Sequence, residues 1–200
     1  MTTQAAHLIR AALDEAAAAL DRARKDAALI GSIQAAGQVL ARAFQAGHRA
    51  YSCGNGGSMC DAMHFAEELS GRFRRDRRPL GAQAISDPGH LSCVANDFGY
   101  QEIFARYVQA HGRSGDVLLA ISTSGSSANV LAAARAAQSL SMPVIALTGR
   151  PDSALGRLAD VDVCTPAGRF ADRVQELHIK VIHILVELIE HSLGIDDAAS

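Results

Sequence analysis

The chain has 200 residues and a mass of 21.0 kDa, which is enough for one domain with a sizeable core. Its 19 basic and 21 acidic side chains nearly cancel, and this balance excludes a protein that binds nucleic acid mainly through its charge. Hydrophobic residues make up 48% of the sequence and charged residues 20%, so extensive disorder is excluded as well.

Two helices are predicted over residues 3–46, where apolar side chains recur at helical spacing. Gly31 and Ser32 interrupt this pattern, so we place the break between the two helices there. The alanine-rich faces favour close packing against a partner chain. We divide the chain into an N-terminal helical pair at 1–46, a main domain at 47–195 and a small, acidic, frayed tail at 196–200.

After Gly47, short apolar segments alternate with helical ones. The strand candidates are 49–53, 82–85, 117–121, 144–147 and 161–164. The helix candidates are 58–69, 89–96 with 100–110, 128–140, 153–158 and 171–193. This alternation predicts an α/β fold, in which a five-stranded parallel sheet is flanked by helices on both faces. Because such sheets bind ligands beyond the carboxyl ends of their strands, the loops after the strands are the candidate sites.

The loop after the first strand, residues 54–58, reads Gly-Asn-Gly-Gly-Ser. Its glycines permit close approach of the backbone to a ligand, and Ser58 is predicted to cap the following helix. The loop is neither a GxGxxG nor a Walker A motif, which argues against NAD and ATP as ligands. An ordinary tight turn is the alternative interpretation of this loop.

The loop after the third strand, residues 122–127, has five hydroxyl side chains among its six residues and leads into a predicted helix. Hydroxyl groups and free N–H groups at a helix N-terminus suit a phosphate group. Because the loop has no basic residue, we expect a phosphate monoester rather than a magnesium-bound triphosphate. Ordinary capping of the helix by serine is the alternative.

Two predicted helices carry side chains suited to catalysis. His64 and Glu68 are four residues apart on one helix face, where they suit a divalent metal or acid–base chemistry. A surface ion pair is the alternative for these two residues. His183 lies in the apolar last helix, and a core histidine is the alternative there. Asn96-Asp97 predicts only a turn between helices.

Taken together, these segments resemble the phosphoheptose isomerase family, a branch of the SIS fold. The resemblance spans about residues 8–194, and its motifs are 54–58, 61–69, 95–99, 115–119, 121–125 and 171–178. It implies an SIS-type three-layer sandwich with residues 47–195 as the SIS domain. It also implies an aldose–ketose isomerase that converts sedoheptulose 7-phosphate into D-glycero-D-manno-heptose 7-phosphate through an enediol, the first step in making the heptose of lipopolysaccharide.

The same resemblance implies roles for individual residues. Glu68 and His183 match the catalytic acid–base pair. The implied ligands of a zinc cofactor are His64, Glu68, Gln175 and His183. The implied substrate-binding residues are Asn55, Gly56, Gly57, Ser58, Asn96, Asp97, Ser122, Thr123, Ser124, Ser127, Asp172 and Gln175. The family forms homotetramers with active sites at subunit interfaces, and we expect the same here.

Helix geometry constrains the implied zinc site. Gln175 and His183 are eight residues apart in the sequence, which is about 12 Å along a helix. At least one pair of ligands is therefore expected to meet across a subunit interface. If zinc polarises the substrate carbonyl, Glu68 acts as a ligand rather than as a base, and the resemblance leaves both roles and the need for zinc open.

Two other function classes share this fold. A non-catalytic SIS-fold protein would bind a replication initiator or another protein partner, but the presence of Glu68 favours the enzyme. A sugar-phosphate-sensing regulator would carry a basic DNA-binding module, which residues 1–46 lack. Neither a signal peptide nor an apolar run long enough to span a membrane is found in the sequence. We therefore expect a cytoplasmic enzyme that binds a small sugar phosphate and neither nucleic acid nor a membrane.

Overall fold

A computed structural model describes residues 3–195 of the chain, so the predicted tail at 196–200 lies outside the described residues. The strands are β1 (Ala50–Gly54), β2 (Ala82–Ala84), β3 (Val117–Ser122), β4 (Val144–Thr148) and β5 (Val161–Cys164). The α-helices are α1 (Thr3–Ala23), α2 (Ala27–Gln45), α3 (Gly57–Ser70), α4 (Pro88–Phe98), α5 (Ile103–His111), α6 (Ala128–Ser139), α7 (Ala154–Leu158) and α8 (Ala171–Ser192), and a 3-10 helix covers Tyr100–Glu102. Every predicted strand and helix after Gly47 is present.

The five strands form one parallel sheet in the order β2-β1-β3-β4-β5. Strands β1, β3 and β4 occupy its centre and are buried along their whole length. The largely aliphatic runs of β3 and β4 are typical of parallel strands that are covered on both faces. The predicted α/β fold with a five-stranded parallel sheet is confirmed.

Two hydrophobic layers enclose the sheet, and together they give the predicted three-layer sandwich. On one face, Leu119 and Ile121 of β3 pack with side chains of α2, α3 and α8. On the other face, Leu118 and Ala120 pack with side chains of α4, α5 and α6. Helix α2 thus belongs to the main core, whereas α1 packs outside it against α8. The division of the chain at residue 46 stays a prediction.

The predicted helix break at Gly31-Ser32 is wrong, because α2 runs through both residues. The two helices are separated instead at residues 24–26, where the Asp26 carboxylate accepts hydrogen bonds from the N–H groups of Ala28 and Leu29 at 2.9 and 3.1 Å. This cap satisfies backbone donors that would otherwise be unpaired at the start of α2. A glycine in a helix interior costs only about 1 kcal/mol, so packing of α2 on the core overrides it.

Two other local predictions are corrected. Ser58 does not cap α3, because Gly56 takes that position with φ +55°, and Ser58 is buried in the first helical turn. Glycine adopts this backbone conformation without the steric cost that a side chain adds. Asn96-Asp97 is not a turn between helices but part of the last turn of α4, and the turn follows at Gly99 with φ +91°.

The strand ends gather the predicted motifs at one edge of the sheet. Strands β1, β3 and β4 run parallel, so the loops that follow them meet at that edge, and helices α3 and α8 pack together beside it. Of the helices described within residues 3–195, none has the length and hydropathy needed to cross a membrane.

Candidate active site

Helices α3 and α8 bring His64, Glu68 and His183 together within a single chain. The Nε2 atoms of His64 and His183 are 2.8 Å apart, and the Oε1 atom of Glu68 lies 3.4 Å from the Nε2 atom of His64. One nitrogen or oxygen atom from each of the three side chains lies within 4.8 Å of the others. Three of the four predicted metal ligands therefore converge without a second subunit, although His183 is 119 residues from His64 in sequence.

The surroundings of this cluster suit a divalent cation. The Nδ1 atom of His64 lies 2.8 Å from the Glu67 carboxylate, which orients the ring so that its Nε2 atom faces His183. Burial and the neighbouring His64 ring lower the pKa of His183, which favours its neutral form. Two imidazoles and a carboxylate are a ligand set that zinc binds.

Gln175, the fourth predicted ligand, lies elsewhere in this chain. Its side-chain amide packs directly over the α-carbon of Gly57, where a β-carbon would come within 2.5 Å of the Nε2 atom of Gln175. Gly57 and Gln175 therefore meet nearer the N-terminal ends of α3 and α8 than His64 and His183 do. The separation is seven residues along α3, which is about 10 Å.

The serine-rich loop after β3 gathers its hydroxyl groups at the start of α6. The Ser122 hydroxyl lies 3.1 Å from that of Ser127 and 3.4 Å from that of Ser124. Gly125, with φ +63°, folds the loop so that its N–H donates to the Ser122 hydroxyl at 3.2 Å. Among the described residues, the Ser127 side chain caps no helical N–H group. Ordinary capping of α6 therefore does not account for the Ser127 hydroxyl, and binding of an anion at this helix N-terminus stays a prediction.

A cavity of about 450 Å³ opens from this loop towards the start of α8. Its lining residues are Thr123, Ser124, Gly149, Arg150, Gly168, Arg169, Phe170, Ala171 and Val174. The two arginines come from the loops after β4 and β5. Sequence reasoning missed them because it searched only the serine-rich loop for basic residues, and only the fold brings the loops together.

The remaining predicted substrate residues lie at the first turn of α8 and the last turn of α4. Asp172 is exposed in the first turn of α8, where its carboxylate accepts a hydrogen bond from the Arg173 N–H at 2.8 Å. The Asn96 side chain donates to the Asp97 carboxylate at 2.7 Å. Tyr100, three residues later, donates its hydroxyl to Asn55 at 3.1 Å and so connects this segment to the loop after β1.

Three polar residues near the site were missed by sequence reasoning. Asn129 pairs with Asn55 across 74 residues of sequence, and Arg77 donates to the backbone carbonyl of Glu68 at 2.6 Å. Asp61, one turn before His64, is largely buried, and burial raises the pKa of its carboxyl group to about 6. Asp61 begins the motif at 61–69 but was given no role, whereas Asn129 and Arg77 stand in no recognisable local motif, so no sequence signal other than their polarity could have identified those two.

Comparison with known proteins now identifies the family. A family model described as the SIS domain matches residues 11–149. The chain is 56% identical over 187 residues to the phosphoheptose isomerase of Pectobacterium atrosepticum, and the match covers 94% of this chain and 97% of that protein. The chain belongs to the phosphoheptose isomerase family. The Escherichia fergusonii phosphoheptose isomerase is also 56% identical over 187 residues.

Solved structures agree with membership in the phosphoheptose isomerase family. The phosphoheptose isomerase of Neisseria gonorrhoeae superposes with a TM-score of 0.85 at 38% identity, covering 95% of this chain and all of that one. The enzyme from Francisella tularensis superposes with a TM-score of 0.87 at 34% identity, covering 96% of this chain and all of that one. The family resemblance and the SIS-type fold inferred from sequence are confirmed, while the roles of individual residues stay predictions.

Proposed function

We propose that this chain is an aldose–ketose isomerase that converts sedoheptulose 7-phosphate into D-glycero-D-manno-heptose 7-phosphate. The observation that carries the proposal is the cluster of His64, Glu68 and His183, in a chain that matches phosphoheptose isomerases over 94% of its length. This activity would stand at the first step of heptose supply for lipopolysaccharide. Nothing observed favours the alternative of a non-catalytic SIS-fold protein.

Different parts of the site suit the two ends of the substrate. The hydroxyls of the loop at 122–127 and the N-terminus of α6 suit the 7-phosphate, and Arg150 and Arg169 add positive charge at the same cavity. Asn55 bonds to Asn129 of α6, and Gly57 begins α3, the helix that carries His64 and Glu68. The phosphate thereby fixes one end of the sugar, so that its carbonyl end is presented to Glu68 and His183.

Isomerisation requires two kinds of proton transfer. Going from ketose to aldose, a proton leaves C1 and another is added at C2, while a hydroxyl proton moves from O1 to O2. Glu68 carries the carbon-bound proton through the enediol, because a carboxylate is a competent base at that position. His183 serves the oxygens, since a neutral imidazole can both donate and accept a proton.

The cluster also fits the zinc cofactor expected from the family. His64, Glu68 and His183 would hold the ion, and Gln175 is the fourth expected ligand. A bound zinc ion would polarise the substrate carbonyl and stabilise negative charge on its oxygen. In that arrangement Glu68 acts as a ligand, and the proton transfer at carbon passes to another base. The dependence of turnover on the metal, tested below, separates these roles.

The first test is the replacement Glu68→Gln. We expect turnover of sedoheptulose 7-phosphate, followed by NMR detection of the aldose product, to fall at least about 100-fold, because the amide cannot accept the proton. The control is Glu187→Gln, an exposed residue on α8 whose loss should change turnover less than about twofold. Near wild-type turnover by Glu68→Gln would remove Glu68 from the mechanism. A folded wild type that is inactive with and without zinc would favour the binding-protein alternative.

The second test concerns the metal. Protein purified without a histidine tag is expected to contain zinc, and added zinc should raise the melting temperature of metal-stripped wild type, because a ligand that binds only the folded state stabilises it. His64→Gln should lose most of this rise, whereas the exposed control His7→Gln should keep it. Full activity in metal-free protein would contradict an obligatory role for zinc.

We also propose a homotetramer whose active sites lie at subunit interfaces. Leu8, Ile9 and Leu13 of α1 are exposed in the single chain, which is typical of a surface that packs against another subunit. A neighbouring subunit would also offer a route for Gln175 to reach a metal. Location in the cytoplasm stays a prediction from the sequence.

A further inference from the structure

The side-chain amide of Asn55 is held by two other polar residues. Its Nδ2 atom donates to the Oδ1 atom of Asn129 at 2.8 Å, and the Nδ2 atom of Asn129 donates back to the Oδ1 atom of Asn55 at 2.8 Å. The Tyr100 hydroxyl donates to the same Oδ1 atom of Asn55 at 3.1 Å. Asn129 is only 2% exposed, whereas Tyr100 is 59% exposed.

A backbone donor fixes the direction of these hydrogen bonds. The N–H of Val130 donates to the Oδ1 atom of Asn129 at 3.0 Å, and a backbone N–H can only donate. The atom of Asn129 that faces Val130 must therefore be its amide oxygen. This oxygen also accepts from Asn55, and the amide nitrogen of Asn129 is the atom that donates to Asn55. It follows that Asn55 turns its own oxygen towards Asn129, so neither amide can be flipped without losing bonds.

Counting donors and acceptors then defines what Asn55 can offer a ligand. An asparagine side chain has two N–H donors and an oxygen that accepts two hydrogen bonds. Asn129 and Tyr100 occupy both acceptor positions of Asn55, and Asn129 also occupies one of its N–H groups. One N–H of Asn55 is left, and it has no hydrogen-bond partner among the described residues.

The family resemblance already implies that Asn55 binds the substrate; we propose that Tyr100 and Asn129 are positioning residues that leave Asn55 a single N–H donor for an oxygen of the sugar phosphate. The inference rests on the proposed isomerase function and adds a specificity element to it. The donor suits a hydroxyl or carbonyl oxygen of the substrate and rejects a group that can only donate. Asn129 acts from the buried side of Asn55, whereas Tyr100 closes the second acceptor position from the solvent side.

The test uses Tyr100→Phe, which removes one hydroxyl from an exposed side chain and so leaves folding intact. Without this hydroxyl, the Asn55 oxygen has one free acceptor position, and Asn129 alone holds the Asn55 amide. We expect KM for sedoheptulose 7-phosphate to rise about fivefold, as for the loss of one neutral hydrogen bond, while kcat changes less than about twofold. An unchanged KM would overturn the role of Tyr100.

The matched control is Tyr51→Phe. The Tyr51 hydroxyl donates to the backbone carbonyl of His111 at 3.2 Å, so this variant also loses one tyrosine hydrogen bond, but none to Asn55. It should leave KM unchanged. An equal rise of KM in both variants would show a general effect of losing a hydroxyl and would contradict a specific role for Tyr100.

A second measurement separates this inference from the isomerase function. In ¹⁵N-labelled protein, the Asn55 side-chain signal can be assigned by its loss in Asn55→Ala. Addition of sedoheptulose 7-phosphate should shift one of the two Nδ2 proton signals of Asn55 and leave the other, which faces Asn129, in place. This result in a protein without turnover would support the donor while rejecting the isomerase. Shifts of both protons, or of neither, would overturn the proposal in any case.

Discussion

His178 illustrates how a buried polar residue is accommodated in this core. Its ring is fully buried on α8, and its Nε2 atom lies 3.1 Å from the backbone carbonyl oxygen of Thr148 at the end of β4. Nε2 therefore donates its proton, and the hydrogen bond joins α8 to the sheet directly beneath the candidate site. Burial lowers the pKa of His178 to about 4, because a charged imidazole would lose its hydration.

The lowered pKa of His178 predicts a pH-dependent stability. In the unfolded chain this residue titrates near pH 6.5, so between about pH 6.5 and 4 the unfolded state binds more protons than the folded state. Its contribution is fully present above pH 6.5, is lost as the pH falls towards 4, and amounts to roughly 3 kcal/mol. Urea unfolding at pH 7.5, 6.0 and 5.0 should show a smaller loss of stability on acidification for His178→Gln than for wild type.

His7→Gln is the control for this measurement, because His7 is exposed on α1. It should show the same pH dependence as the wild type. Comparing each variant with the wild type also cancels other titrating groups, such as Asp61, which oppose the effect. If the curves of wild type and His178→Gln run parallel over this pH range, the account of His178 is wrong.

Among the elements, an ion pair joins the end of α8 to the segment that follows α3. The Arg77 guanidinium lies 2.7 Å from the Glu190 carboxylate, and the two side chains are only 2% and 6% exposed. Arg77 also donates to the backbone carbonyls of Glu68 and Leu69 at 2.6 and 2.7 Å, which satisfies acceptors at the end of α3. The helices that carry the cluster are thereby held at a fixed separation.

Removing one partner of this pair should be costly. Arg77→Met leaves a buried carboxylate without its counter-charge, and we expect the free energy of unfolding to fall by about 3–5 kcal/mol. The control is Arg74→Met, which removes a similar pair with Glu187 on the same two segments, but with both side chains exposed. That change should cost less than about 1 kcal/mol. Equal costs in urea unfolding would contradict the role given to burial.

The elements also show what a sequence can and cannot predict. The central strands β3 and β4 were predictable because each is a largely aliphatic run, and the pairing of His64 with Glu68 was predictable because both lie on one face of a helix. The start of α2 was placed wrongly, because the glycine at 31 is a weaker signal than the cap at Asp26. Contacts such as Asn55 with Asn129 and His64 with His183 were beyond local reasoning, since only the sheet brings these segments together.

In the molecule as a whole, helix α1 has an apolar surface that no other part of the described chain covers. Leu13 is 65% exposed, and Leu8, Ile9 and Leu20 of the same helix are exposed as well. The same helix contacts the rest of the chain through small side chains such as Ala19, which packs with Val174 and Leu177 of α8. Such a helix is better suited to an interface than to water.

The tetramer proposal predicts a mass of about four chains in light scattering. Leu13→Asp should lower this mass, because a carboxylate at the centre of an apolar interface loses its hydration. Ser114→Asp adds the same charge in an exposed loop before β3 and should leave the mass unchanged. A wild type that scatters as a single 21.0 kDa chain would contradict the tetramer.

The distance along the chain between the two histidines of the cluster has a consequence for biosynthesis. His64 and Glu68 leave the ribosome early, but His183 follows only after the whole sheet has been synthesised, since β5 ends at Cys164. A nascent chain therefore cannot assemble the cluster, however well its first half has folded. In the proposed function, isomerisation and metal binding at this cluster therefore require the nearly finished polypeptide, and we expect truncated translation products to be inactive.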